Sequence, residues 1–349
     1  MRKALRAGLA GALSLALVAA QDPPQVGQAV GEADYPDPPA IVAERIVDGR
    51  FEPGHFEYLR GYFPEASAEE KAQYAELEVW LEDCRTEGRE RLDTELAALG
   101  VTLTDDRFVS AQAPLCRQVF PAGQFQDRFA TYAQLRSASL EARLVFSTLV
   151  ESIRLAELRV VPAEPTYAEK LRVRTLGEQL LRISYRWGRG PVDDIRVPQL
   201  SEDERVVFNA LVIGETRRAD YENTSWLKAR VEEAGWPTIS QVGQRASGDA
   251  WLLVQHADAD PAFQLKALRL MEPLIAQDEV SEKDYAYLYD RIMLKLNGKQ
   301  RYGTQVQCLD GKLAPQPLEE PERLDELRAE VDLSTFAEYL ELFPATCGS

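Results

Sequence analysis

Histidine and cysteine are scarce in this 349-residue chain, at two and four copies, and each shortage narrows the chemistry. A catalytic zinc usually takes three protein ligands, mostly His. With only His55 and His256 available, no metal site is expected. One His beside Asp258 and Asp260 makes at most a carboxylate-rich set of the kind that suits magnesium or calcium, and Asp260 is better placed as a helix cap. None of the four cysteines forms a Cys-x-x-Cys pair, which removes thioredoxin-like, zinc-ribbon and covalent-haem readings. No Gly-x-Ser-x-Gly elbow exists for a serine nucleophile. No glycine-rich phosphate loop or dinucleotide fingerprint exists either, so no cofactor is expected. Sequence repeats of fixed period are also missing, which argues against a solenoid.

Long apolar runs are lacking beyond the first twenty residues. Those residues begin Met1-Arg2-Lys3, continue as an apolar stretch and end Val18-Ala19-Ala20. A basic start, an apolar middle and a small-residue end are the three parts of an export signal. The apolar part is about 14 residues long, short of the about 20 that a membrane-spanning helix needs. Cleavage after Ala20 removes three positive charges and takes the formal charge from −17 to −20. No Cys follows Ala20, so a lipid anchor has no attachment point. The expected setting is the periplasm or the extracellular space, with no membrane span after cleavage. An acidic chain repels phosphate backbones, so nucleic acid is not an expected partner.

An even number of cysteines behind an export signal implies two disulfides. Three connectivities are open to Cys84, Cys116, Cys308 and Cys347. Cys84–Cys116 with Cys308–Cys347 is preferred because each bridge stays within one half of the chain.

The pattern of apolar residues predicts a mainly α, bundle-like fold with one small β-hairpin near residues 301–316. Residues 21–40, rich in Pro, Gly and acidic side chains, read as a flexible leader. A helical N-terminal region covers residues 41–200. Within it, helices are expected at about 67–99, interrupted at Gly88, at about 125–158 and at about 166–187. Ser67 with Glu70, and Ser201 with Glu204, have the spacing of capping boxes. The Ser201 helix is expected to end near Ala219 and a separate one to cover 221–234, closed by Gly235. Asp260-Pro261 opens a helix by carboxylate capping and proline preorganisation, which leaves His256 and Asp258 at a helix-to-helix corner. A helix over 282–296 ends at Asn297-Gly298. A strand over 300–309 leads into the tight turn favoured by Asp310-Gly311.

Several short motifs then occur in a fixed order. They are Gly235-Trp236-Pro237-Thr238, Val242-Gly243, Ala250-Trp251-Leu252-Leu253-Val254-Gln255-His256-Ala257-Asp258, Asp260-Pro261-Ala262-Phe263-Gln264, Asp290-Arg291 and Gln300-Arg301-Tyr302-Gly303-Thr304-Gln305. Together they resemble the bacterial family DUF6624, whose function is unknown, over roughly residues 220–342. The resemblance implies common descent and an exported setting. It implies no reaction. Family members carry a paired Arg followed by Gly-Leu before the last helix, where this chain has Leu327-Arg328 and Asp332-Leu333.

Chemistry in this module centres on His256, because histidine is the residue type used as a general acid or base near neutral pH. The expectation is a small-molecule or peptide-acting envelope enzyme. In it His256 is the acid/base, Asp258 orients it, and Gln255, Gln264, Arg291, Gln300, Tyr302, Thr304 and Gln305 bind the substrate. Asp290 is expected to form a structural ion pair with Arg291, and Trp236 to anchor the core. The competing expectation is a non-catalytic module that binds another envelope protein, marked by an apolar patch away from a sealed His256 corner.

Overall fold

A computed structural model of the chain describes residues 36–103, 114–119, 125, 128–185, 199–343 and 347. The export signal and most of the leader, expected at 1–20 and 21–40, fall almost wholly outside the described residues. Helices dominate: α1 (Ala40–Ala43), α2 (Ala68–Ala98), α3 (Pro114–Gln118), α4 (Tyr132–Val160), α5 (Tyr167–Tyr185), α6 (Glu202–Ala234), α7 (Ile239–Val242), α8 (Gln244–Gln255), α9 (Pro261–Ile275), α10 (Glu282–Asn297), α11 (Leu324–Ala329) and α12 (Phe336–Leu340). Two antiparallel strand pairs accompany them, β1 (Ile46–Val47) with β2 (Arg50–Phe51) and β3 (Val306–Leu309) with β4 (Lys312–Pro315), together with 3-10 turns over Glu57–Tyr62 and Pro321–Arg323. The expected mainly α fold with a small hairpin is what forms.

The capping boxes are real. Ser67 and Ser201 each accept from the backbone three residues on, and Glu70 and Glu204 reach back to the cap amides. Two expected interruptions are corrected. Gly88 lies buried inside an unbroken α2, because one glycine costs a helix only about 1 kcal/mol, and a 31-residue helix carries that. Helix α6 runs 33 residues without a break near Ala219, since neither Pro nor Gly stands between Gly214 and Gly235. At about 50 Å long, α6 serves two hydrophobic clusters. Its Phe208 and Leu211 join Phe56, Leu59, Leu77 and Leu135. Its Leu227 and Val231 join Trp236, Val254, Phe263 and Leu288 in the second, which also takes Leu92 and Leu96 from α2. Trp236 is thus the core anchor it was expected to be, at 4% exposed. The gap left between 200 and 220 in the expected division falls inside α6.

The segment after Trp236 divides where the backbone demands it. Gly243 has φ of 85°, a conformation glycine adopts readily, and it separates α7 from α8. Asp260 caps α9 by accepting from Phe263 N at 2.8 Å, with Pro261 in the first helical position. Asp310 and Gly311 both have positive φ, at 51° and 76°, as the two-residue turn between β3 and β4 requires. Both preferred disulfides are present, Cys84–Cys116 and Cys308–Cys347. The first ties α2 to α3 and the second ties β3 to residue 347. No helix of the described residues is long and apolar enough to cross a membrane.

Candidate functional site

The His256 corner draws on six helices, α3, α5, α6, α8, α9 and α10. His256 caps the C-terminal end of α8 with φ of −94°, and its ring meets α5. There its Nδ1 lies 2.8 Å from Glu178 Oε1. The Glu178 side chain is wholly buried, while the imidazole keeps 15% of its surface exposed. Gln179 Nε2 donates to the same Glu178 oxygen at 2.9 Å. The other oxygen, Glu178 Oε2, is buried without a hydrogen-bond partner among the described residues. The nearest cation to it is Arg182, whose Nη2 is 3.9 Å away and which also pairs with Asp220 of α6 at 2.5 Å. Burial pushes the Asp220 carboxyl up to about 6, against the pull of Arg182 and with the neighbouring Glu178 adding to the rise. Nε2 of His256 has no partner among the described residues.

The sequence placed Asp258 on the imidazole, and the geometry gives it other partners. Asp258 accepts from Arg291 Nε at 2.9 Å, from the Arg291 Nη2 as well, and from Lys295 Nζ at 2.5 Å. Burial alone would raise its carboxyl, but the charge of Lys295 and the bonds from Arg291 outweigh that and hold it well below the usual carboxylate range. Lys295 is pulled down to about 8 by its own burial, with Asp258 offsetting part of the fall. Arg117 of α3 lies within electrostatic reach of Asp220, Asp258 and Lys295. The Asp258 side of the corner therefore holds more positive than negative charge.

Of the expected substrate-binding residues, Arg291 and Gln264 do join this corner. Gln264 is fully buried; its Nε2 donates to Val254 O at 2.9 Å and its Oε1 accepts from Lys295 at 2.8 Å. It thereby fixes the loop that carries His256. Gln255 is buried beside His256, and its Oε1 lacks a hydrogen-bond partner among the described residues.

Gln300, Tyr302, Thr304 and Gln305 are brought together elsewhere. Asp290 of α10 is fully buried and accepts from three backbone amides, those of Arg301, Tyr302 and Thr304, at 2.8, 2.9 and 2.8 Å. Gln300 bonds both main-chain groups of Gln305 and donates to Gln316 O. Arg328, 1% exposed, donates to Tyr302 O and Ser334 O at 2.7 and 2.6 Å. The Tyr339 hydroxyl donates to Thr304 O at 2.9 Å. This knot explains why the strand starts at Val306 and not at Gln300: the amides of 301–304 are wrapped around a carboxylate. It also corrects the expected Asp290–Arg291 pair, since the two side chains serve different clusters. The lone Arg328 is used up here by carbonyls.

Sequence reasoning missed Glu178, Arg182, Asp220 and Arg117. Glu178 and Arg182 have the i,i+4 spacing of one helical face, but that spacing is too common to single out.

Comparison with known proteins gives one match. Residues 195–348 match the model of DUF6624, a family of unknown function. The matched stretch is similar to that family over more than the motifs delimit, and it includes Asp220, His256, Asp258 and Arg291 but not Glu178 or Arg182. No curated protein and no solved structure matches.

Proposed function

We propose, on the premise that residues 195–348 are similar to the family DUF6624, that the protein is an exported enzyme acting on a small molecule or peptide with an anionic group. Its reaction centre is the His256 corner. The observation that carries this reading is the imidazole itself: Nδ1 is anchored on a wholly buried carboxylate, and Nε2 has no partner among the described residues. A buried acceptor on Nδ1 fixes the tautomer that bears the proton there and stabilises the imidazolium that forms when Nε2 takes a proton. Glu178 thus fills the orienting role first given to Asp258. A water or hydroxyl placed on Nε2 would be activated as a nucleophile.

Arg291 and Arg117 supply charge for the anionic group. Asp258 and Gln264 keep Arg291 and Lys295 in place. The export setting is supported by the signal-like residues 1–20 and by the two disulfides.

A second reading, a non-catalytic module that binds an envelope protein, is favoured by one observation. Helix α4 exposes Leu140, Leu144, Leu155 and Leu158, each more than half accessible. It has no partner of stated chemistry, and the corner is not sealed as that reading requires.

The test uses chelator-treated protein and a panel of p-nitrophenyl esters, dipeptides and N-acylated amino acids. Turnover is expected to fall at least about 100-fold in both His256→Ala and Glu178→Gln, with folding confirmed by thermal melting. Retained activity in His256→Ala sinks the reading. So does failure of His256 to react with diethyl pyrocarbonate in the native protein, since Nε2 would then be sealed.

A further inference from the structure

Three side chains at the corner converge in a way that proton transfer does not require. Glu178, Asp220 and His256 each offer a ligand atom, and these atoms lie within 4.8 Å of one another. They come from three separate helices. An exposed acidic pair would carry no weight, but Glu178 is 1% exposed, and its Oε2 is buried with no hydrogen-bond partner among the described residues. A buried carboxylate oxygen left unpaired is costly. Nothing in the dyad uses it, because His256 and Gln179 both bond Oε1.

We infer that Glu178, Asp220 and His256 form a binding site for one divalent transition-metal ion, with Glu178 Oε2 as the waiting ligand. Two carboxylates and an imidazole suit Mn²⁺, Fe²⁺, Co²⁺ or Zn²⁺ better than Mg²⁺ or Ca²⁺, which prefer all-oxygen sets. Three protein ligands leave positions open for water, as in catalytic zinc centres. Binding draws the ligand atoms inward, to bonds of about 2.0–2.2 Å.

Arg182 is the cation that now stands in for the ion. It pairs with Asp220 and faces Glu178 from 3.9 Å. Its side chain is 30% exposed, so it has room to turn towards solvent. The exchange replaces one positive charge by two beside two carboxylates, and the site becomes neutral. This inference rests on the corner being a reaction centre and gives it a cofactor. In the loaded protein the imidazole is a ligand, and a metal-bound water of lowered pKa takes over as the nucleophile.

The experiment is a calorimetric titration of chelator-treated full-length protein with Zn²⁺ and Mn²⁺, with Mg²⁺ for comparison and no substrate present. The wild type is expected to take up one Zn²⁺ or Mn²⁺ per chain and to melt higher when loaded. Glu178→Gln and Asp220→Asn are expected to weaken binding about 10–100-fold. Arg182→Gln is expected to bind about tenfold more tightly, because the competing guanidinium is gone; a gain of affinity cannot come from misfolding. No uptake by the wild type overturns the site. Equal affinity in Asp220→Asn, or unchanged affinity in Arg182→Gln, overturns it too. These readouts need no turnover, so the site can fail while the metal-free dyad stands, and the reverse.

Discussion

Asp290 and Arg291 are neighbours in sequence and serve two polar clusters of opposite character. Asp290 faces the C-terminal knot, where its two oxygens accept three backbone amides and the surrounding Gln300, Arg328 and Tyr339 bond the main chain of Gln305, Tyr302 and Thr304. Arg291 faces the His256 corner, where among the described residues Glu178 Oε2, Arg182 Nε and Gln255 Oε1 are buried without hydrogen-bond partners and His256 Nε2 has none. The knot spends its hydrogen-bonding capacity on holding backbone. The corner keeps some in reserve. A cluster with spare donors and acceptors at a place where the fold has gathered charge from four helices is poised to take a ligand. A saturated cluster is poised to hold shape.

The sharpest way to break this contrast is to remove the centre of the knot. Asp290→Ala leaves three amides inside the protein with no acceptor, and each unsatisfied buried donor costs about 1–3 kcal/mol. The expected loss is about 3–5 kcal/mol by urea unfolding, with disorder of residues 300–305 visible as faster amide exchange. A loss under about 1 kcal/mol would mean that the hairpin holds its own backbone and that the knot is not structural.

A smaller effect is expected at the corner. Glu178→Gln keeps the side chain's shape and an acceptor for His256 Nδ1, and it leaves Arg182 paired with Asp220, so no cation is left buried without a partner. Stability should change by less than about 1 kcal/mol, even though the same variant is expected to lose activity. Asp290→Asn, the matching change in the knot, should destabilise by about 2 kcal/mol, because an amide accepts on one atom only. If both variants lose stability equally, the corner is as structural as the knot and the distinction fails.

Much of the fold was legible in the sequence because its punctuation is local. Ser67, Ser201 and Asp260 cap helices from within three residues, and Gly298 and Asp310-Gly311 end elements by backbone geometry alone. The continuity of α6 was harder to read, since a polar stretch around Asp220 looks like a boundary when the buried partner helices are unknown. At the site, His256, Asp258, Gln264 and Arg291 could be picked out because their motifs are compact. Glu178 could not. It lies 78 residues from His256, and only the packing of α5 on α6 and α8 brings it under the imidazole. Gln300 and Thr304 misled for the converse reason: a polar run around a glycine reads as a binding loop until the carboxylate that it wraps is seen.

Asp284 refines the comparison, because it sits on α10 yet belongs to neither cluster. Its carboxylate has no partner among the described residues, and burial pushes it up to about 6 from an ordinary value of 3.8. The folded state therefore binds this proton more tightly than the unfolded state does. Stability from this group is fully present below pH about 4 and is lost as pH rises through about 6. Above that range the buried charge is a net cost. Asp284→Asn should then stabilise the protein by about 1–2 kcal/mol at pH 7.5 and by nothing measurable at pH 4. Paired unfolding curves at the two pH values check this. A gain of the same size at both would trace the effect to packing, whereas a loss at pH 7.5 would mean that the carboxylate has a cationic partner and that α10 carries a third polar contact.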